Sequence, residues 1–522
     1  MTRAMLLLAL AGSLCAGPLY AQLPDSLPLK NARDSVPREL QFIGYSFTRT
    51  TTSNIAPTND LLQGQVIGRL FGPNSTRTID RTAFYTEQRF VPYLVYRPKI
   101  LDGVAIFRYM GKVDYTWGDQ SYGVGGNRGG GLSGGQVNLQ TLMANVDIRP
   151  KDQPFNIVIG LQRLFDNAYD PHAITQQQAM TSGYKLSFWG TNAVGVNLFA
   201  TPRPGMKARL GVFQLWENLV GGDDDVVLFM ADADTRLTPR WEVGADAWYL
   251  RDRGRGGSGI SVLAQGLNSP LAAYNGATQL SFPASVSAYT ADLFWAGLRT
   301  AWNRDFMAGR WWADAYAIVN LGVVDTIGAL GGGKAADVLG VSANAALSYK
   351  YGMTANDRVS LEALFTSGDG GGISDGKTSS VITGNVYGSP VGIYSSHRAL
   401  LLFPDPQVVN RYYSAVHDIS NAGRGVSAGF VTLSRDLIPN RFSVKLGGAT
   451  AFSNTKPTGG SNYIGSEINA EAKYNLKVFL TAGLSAGYLK LGDYYDAPST
   501  TSSGERPDDA WVMFATLSWL MF

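Results

Sequence analysis

Polar and apolar residues alternate along the stretch Glu467-Ile-Asn-Ala-Glu-Ala-Lys-Tyr-Asn475. Successive side chains of an extended strand point to opposite sides. The polar side chains therefore share one face: Glu467, Asn469, Glu471, Lys473 and Asn475. The other face carries Ile468, Ala470, Ala472 and Tyr474. One face suits water and the other hydrocarbon, and the same alternation recurs in Trp241–Tyr249, Val341–Lys350 and Arg358–Phe365. This pattern is typical of a membrane barrel with a wet lumen.

Composition argues against soluble globular domains, helical membrane proteins and nucleic-acid-binding proteins. The 522 residues include 61 glycines, 11% aromatic residues and 16% charged residues, whereas soluble domains average roughly one quarter charged residues. No segment after residue 21 has the apolar length that a membrane helix needs, and the mean hydropathy is −0.05. Alternating polar and apolar residues cancel in such an average, as in a barrel. A net charge of +3 is too small to indicate nucleic-acid binding.

The N-terminus has the pattern of a secretion signal. Arg3 is followed by the apolar run Ala4–Ala11, and Ala21 ends a stretch suited to signal peptidase. We therefore predict a signal peptide over residues 1–21, a periplasmic leader over 22–62 and a transmembrane barrel over 63–522. The only cysteine, Cys15, lies within the signal, so we expect no disulfide and no thiolate metal site in the mature chain.

Turn-forming residues divide the chain after the leader into strands with a regular rhythm. Short connections rich in Pro, Gly, Asn and Asp fall at 97–103, 149–154, 201–205, 237–240, 303–309, 354–357, 436–440 and near 476–477. Long connections alternate with them, at 123–135, 165–180, 218–224, 253–285, 323–336, 367–424, 453–464 and 492–509. We predict an all-β fold: a transmembrane antiparallel up-and-down barrel of about 18 strands (about 16–18), with short periplasmic turns and long extracellular loops.

The alternation of connections does not determine which segment forms the first strand. Thr82–Arg97 precedes a short turn and so runs towards the periplasm, and a periplasmic N-terminus then requires one ascending strand before it. The preferred candidate is Gln63–Phe71, and the alternative is Gln41–Arg49. The last strand, Ala510–Phe522, ends in a phenylalanine, as barrels recognised by the outer-membrane assembly machinery commonly do. The direction in which its side chains face is left open.

A lumen lined by the polar strand faces would carry both signs of charge. The basic candidates are Arg89, Arg108, Lys112, Arg163 and Lys473, and the acidic candidates are Asp232, Asp234, Glu242, Asp246, Glu467 and Glu471. Basic residues dominate the early strands, and Asp232–Asp246 form an acidic sector, so a transverse field that selects ions is expected. Alternatively, these groups only keep a wide lumen hydrated. Loop 367–424 is a candidate plug or constriction, because long loops are usually functional or disordered.

Three short segments resemble the alginate-export family of outer-membrane barrels: Thr86–Phe90, Gly160–Leu164 and Tyr184–Val194. The resemblance covers residues 80–250 and implies a barrel of similar length and strand number. It also implies a basic lumen that attracts a polyanionic polysaccharide, with Arg89, Arg108, Lys112 and Arg163 as the matching residues. The acidic candidates depart from that pattern. More broadly, the chain resembles bacterial outer-membrane porins.

Three functions remain open at this point. The mixed charges favour a porin-like channel in the bacterial outer membrane, which would pass small hydrophilic or charged solutes across the lipid bilayer. The alternatives are an alginate-export-like polysaccharide exporter and a closed structural or adhesion barrel. No enzyme is predicted, because His172, His397 and His417 fall in loops without an established triad. We predict no cofactor, no metal site and no nucleic-acid partner, and Asp223–Asp225 is interpreted as a solvated turn rather than a calcium site.

Overall fold

The computed structural model describes residues 39–57, 66–71, 76–117, 138–165, 184–185, 189–217, 219–255, 289–327, 333–370, 375–384, 398–403, 405, 409, 411–416, 418–501 and 504–522. The predicted signal peptide and the three histidines lie outside these residues. The described chain forms a closed antiparallel barrel of 18 strands, which confirms the predicted fold class. Among the described residues, none of the helices has the length and apolar character required to cross a membrane.

We number the barrel strands in chain order. They are β1 (Leu40–Pro57), β2 (Thr76–Tyr96), β3 (Ala105–Thr116), β4 (Asn138–Ile148), β5 (Phe155–Phe165), β6 (Gly190–Ala200), β7 (Met206–Trp216), β8 (Val226–Thr238), β9 (Trp241–Asp252), β10 (Tyr289–Trp302), β11 (Trp311–Thr326), β12 (Gly333–Lys350), β13 (Arg358–Thr366), β14 (Val426–Ile438), β15 (Phe442–Ser453), β16 (Tyr463–Lys477), β17 (Leu480–Leu491) and β18 (Ala510–Met521). Three shorter strands complete the described elements. Lys377–Thr378 pairs with the wall strand β12, whereas Val66–Arg69 and Arg411–Ser414 form a separate two-stranded sheet.

The first and last strands close the ring. β1 pairs antiparallel with β2, beginning at Leu40 opposite Tyr96. It also pairs antiparallel with β18, from Gly44 opposite Met521 onwards. Each of the other barrel strands pairs with the strands before and after it in the chain. Closure supplies both edges of each described barrel strand with a partner, which is what backbone N–H and C=O groups need in hydrocarbon.

The position of the first strand corrects our preferred prediction. β1 spans Leu40–Pro57, so the wall begins at residue 40 rather than 63, and the predicted leader 22–62 contains a barrel strand. The candidate Gln63–Phe71 instead contributes Val66–Arg69, which pairs in parallel with Arg411–Ser414. The alternative strand, Gln41–Arg49, is the one that belongs to the wall.

The sequence pattern favoured the wrong segment for the first strand because both faces of β1 are polar in its second half. Arg49, Thr51 and Ser53 point inward, with 6%, 0% and 0% exposure. The alternating outward positions are threonines, Thr50 and Thr52, rather than the aliphatic residues that mark other strands. A strand without an apolar face gives no period-two signal.

Short turns and long loops alternate around the ring as predicted, except between β11 and β12. The predicted long connection 323–336 comprises only residues 327–332, because β11 continues to Thr326 and β12 begins at Gly333. The turn between β12 and β13 shows how a short connection is held. Asp357 Oδ2 accepts hydrogen bonds from the N–H groups of Met353 and Thr354, at 2.9 and 3.0 Å, and its Oδ1 accepts from Asp436 N–H at 2.9 Å. Burial raises the pKa of Asp357, but the hydrogen bonds from Thr354, Asp436 and Met353 outweigh it and leave the pKa below its ordinary value.

The outer face of the barrel is apolar, and the inner face is polar. On β16, Ile468 is 68% exposed, whereas Glu467 and Asn469 are 1% and 7% exposed. On β7, Leu210 is 56% exposed beside the fully buried Arg209. Further exposed members of this outer belt are Phe107, Leu298, Leu347, Leu361, Leu446 and Leu484. The alternation read from Glu467–Asn475 is therefore confirmed.

The last strand follows the same rule. Met513, Leu517 and Trp519 are about half exposed and face outward, whereas Phe514 is buried and faces inward. The terminal Phe522 is 55% exposed, and its ring packs against Phe479 with centroids 4.8 Å apart. This settles the facing that the sequence left open.

Candidate functional site: the barrel lumen

Parts of long loops lie against the inner face of the barrel. In loop 367–424, Ile382 N–H donates to Asn320 Oδ1 at 3.0 Å, and Ile382 C=O accepts from Trp295 Nε1 at 2.9 Å. Both partners belong to strands of the wall, β11 and β10. Tyr184, between β5 and β6, also lies against the inner face, because it is fully buried and its hydroxyl donates to Asp246 of β9. The described part of the lumen is therefore partly filled by the chain itself.

A glycine on β12 permits one of these close approaches. A Cβ placed on Gly340 would lie 2.6 Å from Val381 Cα and 2.8 Å from Ser380 O. Just beyond this contact, Lys377–Thr378 pairs in parallel with Asp337–Val338 of the same wall strand. A residue larger than glycine at 340 would push this part of loop 367–424 away from the wall.

Three tryptophans form an apolar centre where the two loops meet. The ring of Trp189 lies 5.6 Å from that of Trp248 and 5.5 Å from that of Trp295, both edge to face. A Cβ on Gly384 would fall 2.2 Å from the Trp189 indole. The expectation of a wholly wet lumen is thus corrected here. The apolar centre joins residues from loops to residues from the wall, and such non-local packing leaves no periodic signal in the sequence.

A second segment of loop 367–424, Arg398–Phe403, we call the inner loop. Its three consecutive N–H groups at Leu400, Leu401 and Leu402 donate to the carboxylate of Glu467, at 2.7, 2.9 and 2.6 Å. Asn469 Nδ2 donates to the same carboxylate at 2.9 Å. Glu467 is 1% exposed. This predicted lumen residue therefore lies on the inner face, engaged by the protein's own backbone.

The basic candidates of the early strands share carboxylates. Arg89 forms two hydrogen bonds to Asp114, each 2.8 Å, and Lys112 Nζ lies 3.4 Å from the same carboxylate. The side chains of Arg89 and Lys112 are 16% and 15% exposed, so both retain contact with water. Sequence reasoning found both cations but did not anticipate that one acid would serve the two.

Arg108 and Arg163 are more deeply placed. Arg108 Nη2 lies 2.5 Å from Asp147 Oδ2, and both side chains are 1% exposed. Arg149, at the short-turn end, shares that carboxylate at 2.7 Å. Arg163 is 4% exposed, and its Nη2 lies 3.3 Å from the sulfur of Met110. Burial gives these two candidates a packing role as well as a charge.

The acidic sector of β8 and β9 is interleaved with arginines. Arg209 Nε donates to Asp232 Oδ2 at 2.6 Å, with both side chains 1% exposed. Arg299 donates to Asp234 at 2.6 and 2.9 Å and to Asp246 at 3.2 Å. The expected acidic wall is therefore largely neutralised, because neighbouring strands place arginines between the aspartates. A smaller excess of negative charge remains in this sector, because Asp234 and Asp246 share one arginine, Arg299.

Glu242 and the pair Glu471 and Lys473 occupy more open positions. Glu242, at the start of β9 near the short-turn end, is 3.2 Å from Arg236, with side chains 40% and 55% exposed. Glu471 binds Lys473 at 2.9 Å and Lys445 at 3.4 Å. The two lysine side chains are 27% and 30% exposed. This group of three lies nearer the short-turn end of β16 than Glu467 does.

One charged centre brings together polar residues whose grouping the strand pattern did not predict. Lys185, from loop 166–189, reaches Asp314 on β11 at 2.8 Å and Glu362 on β13 at 3.2 Å. Arg398 of the inner loop lies 3.7 Å from the same Glu362. Both loops thus meet at one wall carboxylate. Lys185, Asp314 and Glu362 each fit an alternating pattern, but only the folded loops bring them together.

A group of three carboxylates lies outside the lumen, in the connection between β7 and β8. Ligand oxygens of Glu217, Asp224 and Asp225 lie within 4.8 Å of one another. Asp223 is directed elsewhere, forming an ion pair with Arg251 at 2.9 Å. Exposed acidic turns of this kind are common without a bound ion, so the interpretation of Asp223–Asp225 as a solvated turn stays a prediction.

The sequence matches no family model and no curated protein. Among solved structures, the chain is similar to OpdK of Pseudomonas aeruginosa with vanillate, at 13% identity and a TM-score of 0.48, over 92% of this chain and 98% of that one. It is also similar to OccK5 (OpdH) of Pseudomonas aeruginosa and to OccAB4 of Acinetobacter baumannii. Each aligns at 10% identity and a TM-score of 0.45, over 92% of this chain and 98% of that chain.

Proposed function

We propose that this chain is a channel of the bacterial outer membrane for the passive passage of small hydrophilic or charged solutes. The observation that carries the proposal is the separation of the two barrel faces, shown by the exposed Leu210 beside the buried Arg209. A closed barrel satisfies its backbone hydrogen bonds within lipid, and an apolar outer band suits the bilayer. The charged side chains on the inner wall suit a passage for water and polar solutes.

The lumen residues with access to water would set the ion preference of this channel. Around the β2–β3 wall, Arg89 and Lys112 share one acid, and around β16, Lys445 and Lys473 share Glu471. Each group carries one excess positive charge. The arginine-linked aspartates of β8 and β9, at Asp234 and Asp246, carry one excess negative charge. We infer a mixed-charge lumen with local preferences rather than a uniformly basic one.

Size selection follows from the loops that enter the barrel. Described residues of loops 166–189 and 367–424 meet at Glu362 and at the tryptophan centre, so they narrow the passage. Liposome-swelling measurements with sugars of increasing size test this. Swelling with monosaccharides that stops at larger oligosaccharides supports the proposal, and equal swelling rates at all sizes contradict the narrowing.

A closed structural barrel is the second candidate, because loop 367–424 covers the wall side chain of Glu467, which is 1% exposed. Liposomes that do not swell with even the smallest sugar would favour this alternative.

Polysaccharide export is less well supported. Three of the matching basic residues already form ion pairs: Arg89 and Lys112 with Asp114, and Arg108 with Asp147. A polyanion would have to compete with those acids.

Phe522 is the proposed contact with the barrel assembly machinery. Its ring lies at the short-turn end, 55% exposed, where a periplasmic factor would reach it. Phe522→Ala is expected to lower the amount of protein inserted in the outer membrane while leaving in vitro refolding intact. Unchanged membrane levels would contradict this role.

A further inference from the structure

One wall carboxylate, that of Glu467, fills a concave site formed by the backbone of the inner loop. Leu400, Leu401 and Leu402 direct three successive N–H groups at Glu467, within 2.6–2.9 Å. Consecutive N–H groups that converge in this way form an anion-binding concavity. Here the anion is covalently part of β16. Hydrogen bonds to an ionised acceptor are shorter and stronger than neutral ones.

The other described side-chain hydrogen bonds between this segment and the wall lie at its first residue, Arg398. Arg398 donates to Thr432 Oγ1 at 2.7 Å, and its carbonyl accepts from Asn469 at 3.3 Å. Beyond the inner loop, Arg49 of β1 forms an ion pair with Asp405 at 3.2 Å. The carboxylate of Glu467 is the one described wall group that holds three consecutive backbone N–H groups of this loop.

The wall is shaped to receive the segment. A Cβ built on Gly487 of β17 would lie 3.3–3.4 Å from Leu400 and 3.7 Å from Glu467 Oε1. Leu401 and Leu402 are buried at 1% and 0% exposure. The carbonyls of these two leucines accept hydrogen bonds from Ala415 and Val416, at 2.8 and 2.9 Å. Movement of the inner loop would therefore carry the 415–416 segment with it.

We propose that Glu467 is the positioning residue of the constriction: its carboxylate occupies an anion site made by the inner loop and holds that loop across the lumen. The effect on permeation rests on the proposed channel function, because release of the inner loop widens the passage. The anion site of the inner loop binds a carboxylate. If the side chain of Glu467 is shortened, a free carboxylate of the same size as the part removed takes its place.

The test uses Glu467→Ala, because acetate has the same heavy atoms as the part of the side chain removed. Leu401→Cys provides a probe of loop release, since the only natural cysteine is Cys15. In Glu467→Ala we expect a small thiol reagent to label Leu401→Cys at least about tenfold faster, as hydrogen bonds to a charged group stabilise by roughly this factor or more. Acetate restores slow labelling, and acetamide, which is neutral and of equal size, does not.

Glu471→Ala is the matched control. Glu471 lies on the same face of β16 but pairs with Lys445 and Lys473. It should leave the labelling rate of Leu401→Cys unchanged, with or without acetate. In planar bilayers, Glu467→Ala is expected to raise single-channel conductance, and acetate to return it towards that of the unmodified chain.

Two results would overturn the proposal: unchanged labelling in Glu467→Ala, or faster labelling that acetate slows no better than acetamide. The second would show that Glu467 acts through packing alone. If Glu467→Ala does not fold, as judged by heat-modifiable gel migration, the isosteric Glu467→Gln serves instead. It should label faster, and an unchanged rate refutes the proposal. Absence of any conductance in the unmodified protein contradicts the channel function and leaves the labelling result standing.

Discussion

Arg209→Met breaks the most deeply buried ion pair of the acidic sector. Arg209 Nε donates to Asp232 at 2.6 Å, and neither side chain is more than 1% exposed. Without the guanidinium, Asp232 keeps the hydrogen bond from Trp248 Nε1 at 3.1 Å but has lost its paired charge. Removing one partner of such a pair costs about 3–5 kcal/mol, because the remaining charge is buried without compensation. We expect a loss of unfolding free energy of that size.

The assay is reversible urea unfolding in lipid vesicles, followed by tryptophan fluorescence. Arg236→Met is the control, since Arg236 and Glu242 are 55% and 40% exposed and such pairs contribute about 0–1 kcal/mol. The double variant Arg209→Met/Asp232→Leu removes both charges and should recover most of the loss, because an apolar pair of similar volume is often as stable as the ion pair. A single variant that loses no more than the control would refute the reasoning, as would a double variant no better than the single.

Three further predictions use other parts of the barrel. Gly340→Ala is expected to lower the unfolding free energy by about 1–3 kcal/mol through overpacking, whereas Gly429→Ala, with nothing within 4 Å of the added methyl group, should leave the urea midpoint unchanged. Asp357→Asn is expected to destabilise the protein at neutral pH. Because the folded pKa of Asp357 lies below its unfolded value, its contribution is present above the unfolded pKa and is lost as pH falls through the folded pKa. The difference between variant and parent in urea titrations should therefore shrink below about pH 4, and a constant difference would contradict this. Glu471→Gln leaves two lumen lysines without their shared acid and should shift the reversal potential in a salt gradient towards anions; an unchanged potential would count against a lumen role for this group.

The strand architecture was predictable because its signals are local. Alternation in β16 places Glu467 and Ile468 on opposite faces whatever the rest of the chain does. Turn residues such as Asp357 mark chain reversals through contacts within a few residues. Where the local pattern failed, as in the threonine-rich second half of β1, the physical cause was the absence of an apolar outer face there.

The lumen was predictable only as a list of residue types. Which acid pairs with which base depends on strand register, and register places Arg209 opposite Asp232 and Arg89 opposite Asp114. The inner loop depends on contacts far apart in sequence, such as those between Leu401 and Glu467. No periodicity encodes such contacts. The length of loop 367–424 indicated only that the loop is functional or disordered.

The proposed channel requires a solute path through this barrel despite the loops within it. Single-channel current through purified protein in planar bilayers, at fixed voltage, tests for this path. An open path predicts discrete conductance steps that shrink when a non-electrolyte small enough to enter the lumen is added. A barrel that inserts, as shown by its heat-modifiable migration, and yet gives no steps in any salt would contradict it.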